Sequence, residues 1–168
     1  MQNLASFLHH TIAIGVGATV FMDFWALLQK RLFGIPSLDY AMVGRWLGHI
    51  PNGRLHHDDP IGAAPSVTGE NLIGWMAHYA SGIVLAALLL AIWGLDWVQA
   101  PTLAPPLIMG LGSIVAPFFI LQPALGAGIA ARRTPSPNIA RARSLIAHLS
   151  FSIGLFIAAQ AWSWMLGV

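Results

Sequence analysis

The chain has no cysteine in its 168 residues. Disulfides, thiolate metal sites and thiol catalysis are therefore all excluded. Charge is nearly as scarce, at 8% of residues against 57% hydrophobic. That balance excludes a disordered chain and points away from a soluble globule. The sequence pI of 9.7 rests on a net charge of only +2, so it does not signal nucleic-acid binding, and nothing resembles a nucleic-acid motif. There is no GxSxG elbow, no P-loop and no Rossmann fingerprint; Gly15-Val16-Gly17 lies inside an apolar run and reads as packing. The opening MQNLASFLHH has none of the Lys or Arg that begins a secretory signal, so the first apolar run is expected to be retained.

What the chain does have is apolar length. Glu70 is followed by 25 residues without Asp, Glu, Lys or Arg. About 20 such residues cross a bilayer as a helix, since hydrocarbon forces backbone polar groups to bond within the segment. Four runs qualify, at about Phe7–Leu28, Asn71–Trp93, Thr102–Ala124 and Ser144–Leu166. The expected fold is an all-α integral membrane protein. It is a four-transmembrane-helix bundle forming one domain over residues 1–168, embedded in a lipid bilayer.

All eight basic residues fall in or beside the first and third connections, as Lys30, Arg31, Arg45, Arg54, Arg132, Arg133, Arg141 and Arg143. By the positive-inside rule those connections are cytoplasmic and both termini lie outside. Trp93, Trp97, Trp162 and Trp164 fall near the outer interface and Trp25, Trp46 and Trp75 near the inner one, as aromatic belts require. The long cytoplasmic loop, 31–69, carries Ser37–Ile50 with apolar residues at three- and four-residue spacing. This predicts an amphipathic helix on the inner membrane surface, ended by Pro51-Asn52-Gly53. The third run is interrupted by Pro105, Pro106, Pro117 and Pro123, each lacking a backbone donor. An internal repeat is also legible. Ile14–Val20 is similar to Met109–Val115, and Ala77-His78 is echoed by Ala147-His148, the pattern of two parallel halves.

Asp23, His78, Gln122 and His148 place one polar group in each span. At 1.5 Å per residue, Asp23, His78 and His148 lie roughly 8–12 Å inside the cytoplasmic ends of their helices. Ionisable groups at that depth are costly and face protein or water. Three readings stay open. The layer is a packing network in a structural or partner-binding subunit. Or it carries a proton, a metal ion or a small solute. Or His78, His148 and Asp23 hold a divalent transition metal, in a membrane-embedded metal-dependent enzyme with His56, Glu70 and Arg45 at its cytoplasmic entrance. Four helices make a thin wall around any pathway, which is compatible with a homodimer. His56-His57-Asp58-Asp59 is a second metal-compatible run, read first as a solvated loop.

Several stretches together resemble an uncharacterised bacterial inner-membrane family, domain of unknown function 2938. They are Ala18–Asp23, Gly44-Arg45-Trp46, His56, Glu70 with Gly74-Trp75 and His78-Tyr79, Pro117-Phe118 with Gln122-Pro123, Gly126–Gly128, Ala131–Pro135, and Arg143–Leu145 with His148. The resemblance implies a small multi-spanning protein of the bacterial inner (cytoplasmic) membrane. It implies no activity.

Overall fold

The computed structural model describes residues 4–167. Every regular element among them is helical, and four helical stretches are long and apolar enough to cross a membrane: Leu4–Phe33, Glu70–Trp93, Ala104–Ala124 and Pro137–Leu166. The first is helix α1, Leu4–Phe33. It outruns the expected span because Lys30 and Arg31 occupy its last turn, where cations offset the negative end of the helix. Gly34, at φ 66°, then stops it. The first connection contains α2, Tyr40–His49, whose start is set by Asp39 accepting from the Ala41 amide at 3.0 Å. The second long helix is α3, Glu70–Trp93.

The third apolar stretch is broken, as its prolines foretold, but not at all four. Pro105 and Pro106 sit in the first turn of α4, Ala104–Gly112, where no backbone donor is needed. The helix then turns at Ser113 and Ile114 and resumes, passing through a π turn at Pro117–Leu121 and a final turn at Gln122–Ala124. The last helix, α5, spans Pro137–Leu166 and opens with proline at its first position.

Contacts sort into two compact units. The first comprises residues up to Ser37, Tyr79–Ser113 and the chain from Ala147 onward. Its core joins Ile14 and Ala18 of α1, Ala86, Leu89 and Leu90 of α3, and Phe151, Leu155 and Ala159 of α5, with Leu95, Trp97 and Val98 of the 3₁₀ segment Leu95–Gln99. The helices meet through small residues. A Cβ on Gly15 would fall 2.7 Å from the Ile83 Cα, and one on Gly82 would strike the Thr19 hydroxyl. A Cβ on Gly110 of α4 would likewise strike Ser152 of α5. Under the internal repeat these are equivalent positions. Gly15 corresponds to Gly110, and Gly82, four residues after His78, corresponds to Ser152, four residues after His148. Close backbone approach through small residues is how helices associate without a hydrophobic drive. Large apolar side chains cover the outside instead, among them Phe24, Val84, Ile92 and Ile157.

The second unit comprises Leu38–His78 and Ile114–Ile146. Here α2 lies against the start of α3 at two facing glycines. A methyl on Gly44 would overlap the Glu70 carbonyl, and one on Gly74 the Tyr40 carbonyl. The loop after α2 is tied down by backbone bonds from His57 N to Ala124 O (3.1 Å) and from Ile61 N to Leu125 O (3.0 Å). Ala130 and Ala131 both have positive φ, 47° and 59°. This left-handed geometry costs roughly 1–2 kcal/mol per residue. It is held by the Arg141 Nε–H on Ala130 O (2.8 Å) and the Thr134 hydroxyl on Ala131 O (2.8 Å).

Candidate functional site

Each of the four expected polar-layer residues has a neighbour. In the first unit, α1 presents Asp23 as the last member of the stripe Thr11, Gly15, Thr19. The Tyr79 hydroxyl of α3 donates to Asp23 Oδ2 at 3.1 Å. In the same unit α5 brings His148 to the break in the third stretch. Its Nδ1 lies 2.8 Å from Ser113 Oγ and 3.1 Å from Gly110 O, while Ser113 Oγ lies 2.6 Å from Gly110 O.

The three distances fit one arrangement of the protons. A carbonyl only accepts, so Gly110 O takes the Ser113 hydroxyl and faces a protonated Nδ1. The basic nitrogen of neutral His148 is then Nε2. The same assignment excludes Ser113 as a histidine-activated nucleophile, because activation needs a lone pair on the nitrogen facing the hydroxyl.

The other two residues belong to the second unit. Gln122, at the end of the π turn, donates through Nε2 to Ser144 Oγ at 3.1 Å, while its Oε1 is buried with no partner. His78 stacks on Tyr40 of α2, with ring centroids 4.1 Å apart and planes at 23°, and has its edge toward Trp75 at 5.7 Å.

The expected entrance residues separate. Arg45 and Glu70 form a two-pronged pair, Nε to Oε2 at 2.8 Å and Nη2 to Oε1 at 2.7 Å. Their side chains are 12% and 17% exposed. Arg45 Nη1 also donates to the carbonyls of Gly62 (3.2 Å) and Ala64 (3.1 Å), and Glu70 Oε2 accepts the Val67 amide at 2.9 Å. The hydrogen bond to Glu70 raises the Arg45 pKa above its ordinary value, so the guanidinium is charged at any accessible pH. Both groups are engaged by structural partners. His56 stays outside, more than half exposed, 3.5 Å from Asp58.

Among the described residues no group of three or more His, Asp or Glu side chains is gathered to hold a metal ion. No step is therefore assigned to a metal.

Sequence reasoning missed Tyr79, Ser113 and Tyr40 as partners, and His49, which is buried with Nε2 donating to Pro65 O at 3.0 Å. Tyr79 and Ser113 were visible as polar residues inside apolar runs. For Tyr40 and His49 no local pattern tells an inward ring from an outward one.

A family model described as Protein of unknown function (DUF2938) matches residues 12–162. No curated protein matches the chain, and no solved structure does.

Proposed function

Since the chain belongs to the family of proteins of unknown function DUF2938, membership assigns no chemistry, and we propose from the geometry that it is a four-span protein of the bacterial inner membrane that moves protons, alone or with a small solute. What supports insertion is the apolar exterior of helices whose small and polar residues face inward, an arrangement that would aggregate in water. The basic connections favour a cytoplasmic face for the long loop and an outside position for both termini.

The observation that carries transport is the coincidence of a broken helix with an ionisable side chain. The third stretch turns at Ser113 and Ile114, where His148 bonds to Ser113 and Gly110. Irregular backbone at membrane depth is tolerated where it is buried in protein or lines a cavity, and interrupted helices supply the sites of many transporters. With Nδ1–H held by Gly110, Nε2 of His148 is the atom that takes and releases the proton. Asp23, bonded to the Tyr79 hydroxyl, is a second acceptor on another helix.

The test is proton flux into proteoliposomes driven by a potassium diffusion potential and read by an entrapped pH dye. Wild type should exceed empty vesicles, and His148→Gln and Asp23→Asn should each reduce the flux tenfold or more at unchanged folding. Variants that conduct like wild type, or wild type that conducts like empty vesicles, would sink the proposal.

A second reading has its own support. Asp23, Gln122 and His148 each bond to a side chain of a different helical stretch, which is what a purely structural clasp requires. It predicts losses of thermal stability in the same variants with no flux to lose.

A further inference from the structure

The first unit contains a cleft of about 280 Å³ whose lining includes Ser6 and His10 of α1, Asp96 and Gln99 of the 3₁₀ segment, and the apolar side chains of Val98 and Leu166. It lies at the end of α1 opposite the basic residues, where His10 by default takes an interfacial role. We propose that this cleft binds a small ammonium compound, its cation set against Asp96 and an acceptor oxygen set against His10.

The hydrogen on His10 is assigned by its neighbour. The Trp162 indole N–H can only donate, and it donates to His10 Nδ1 at 2.7 Å. That nitrogen is therefore the lone-pair side, and the ring hydrogen of neutral His10 is on Nε2. The Trp162 and His10 rings meet edge to face at 6.3 Å, which fixes the imidazole plane. What His10 offers a ligand is thus a held donor, and Ser6 adds a hydroxyl beside it.

Asp96 supplies the opposite chemistry. Among the described residues its carboxylate has no hydrogen-bond or ion-pair partner. No lysine or arginine is close along the chain. The nearest in α1 is Lys30, 20 residues from His10, or about 30 Å of helix. A carboxylate ligand would meet the like charge of Asp96 there, whereas an ammonium would pair with it. At about 30 Å³ per water-sized group, the cleft takes roughly nine non-hydrogen atoms. Val98 and Leu166 suit the methylenes between the two polar ends.

Ethanolamine and its phosphate ester have this shape, with the ester oxygens as the acceptor. The same chemistry is found free in solution and in the headgroup of phosphatidylethanolamine. The proposal stands apart from proton movement, and a failed flux assay leaves it intact.

The experiment is calorimetric titration of the purified full chain in detergent with ethanolamine, phosphoethanolamine, short-chain phosphatidylethanolamine and, as the control, acetate. Emission of Trp162, judged against Trp162→Phe, reports contact with His10. At least one ammonium probe should bind saturably and acetate should not. Asp96→Asn should weaken binding tenfold or more without moving Tm, since Asp96 is exposed and makes no bond that folding needs. His10→Phe should weaken the phosphate-bearing probes more than ethanolamine. Binding of the soluble probes identifies a free ligand, and binding of the lipid alone identifies a headgroup. The proposal is overturned if no ammonium probe binds, if acetate binds equally well, or if Asp96→Asn binds like wild type.

Discussion

The two units are held by different forces. In the first, buried apolar side chains and close backbone approach dominate, and polar contacts such as Tyr79–Asp23 and Ser113–His148 punctuate them. In the second, only Ile61, Ala124 and Ala131 are buried apolar residues, and the segments are tied by ions, carbonyls and stacked rings. The difference follows from segment length. A 24- or 30-residue helix offers enough surface for packing to set its position, whereas the ten residues of α2 do not. Short pieces need directional bonds, and Arg45 alone makes four of them.

The largest expected effect lies where the second unit does rely on packing. Gly44→Ala or Gly74→Ala puts a methyl into a backbone carbonyl, which cannot rotate away. Each should cost about 3 kcal/mol, the upper range for overpacking. It should also raise hydrogen exchange in Tyr40–His49 before Glu70–Trp93 responds. Gly82→Ala in the first unit meets the Thr19 side chain instead and should cost about half as much. Denaturant unfolding in detergent measures both, and a larger loss at Gly82 would reverse the comparison.

Next in size is the ion pair. Arg45→Met leaves the Glu70 carboxylate largely buried without its cation, and the Gly62 and Ala64 carbonyls without their donor. Tm should fall by about 10 °C. The double variant Arg45→Met/Glu70→Leu should recover at least half of that, because two apolar groups leave no buried charge unpaired. A double variant no better than the single one would mean that the carbonyl bonds, not the ion pair, hold the loop.

Much of the first unit was legible in the sequence. Uninterrupted apolar runs locate the long helices, and the i+4 stripe of Thr11, Gly15 and Thr19 identifies the face of α1 that is buried. Helix ends were less legible, because Lys30, Arg31, Asn138 and Arg141 are polar yet compatible with helix. The site was legible in residue type and not in partnership. Depth along a helix is set by residue count, but which side chain meets Asp23 depends on helix rotation, and spacing alone does not fix it. Arg45 and Glu70 were both singled out, yet they stand 25 positions apart, and the stretch between the end of α2 and Glu70 carries no periodic signal. For the same reason the sequence chose His56, which is exposed, over His49, which is buried on the Pro65 carbonyl.

The smallest expected effect probes the polar contact of Ser113, His148 and Gly110 in the first unit, at the break of the third stretch. Ser113→Ala removes the hydroxyl that joins His148 Nδ1 to Gly110 O, at a cost of about 1 kcal/mol. The Gly110 carbonyl is still 3.1 Å from Nδ1 and then takes the ring hydrogen undivided. Nitrogen NMR of labelled histidine should show the Nδ1–H form of His148 in both wild type and variant. Proton flux, where it is present, should survive this change while being lost in His148→Gln, because the carbonyl rather than the hydroxyl keeps Nε2 basic. A switch to the Nε2–H form in Ser113→Ala would instead assign the tautomer to the serine. The hydroxyl would then belong to the proton path, and the first unit would depend on a directional bond as strictly as the second depends on Arg45.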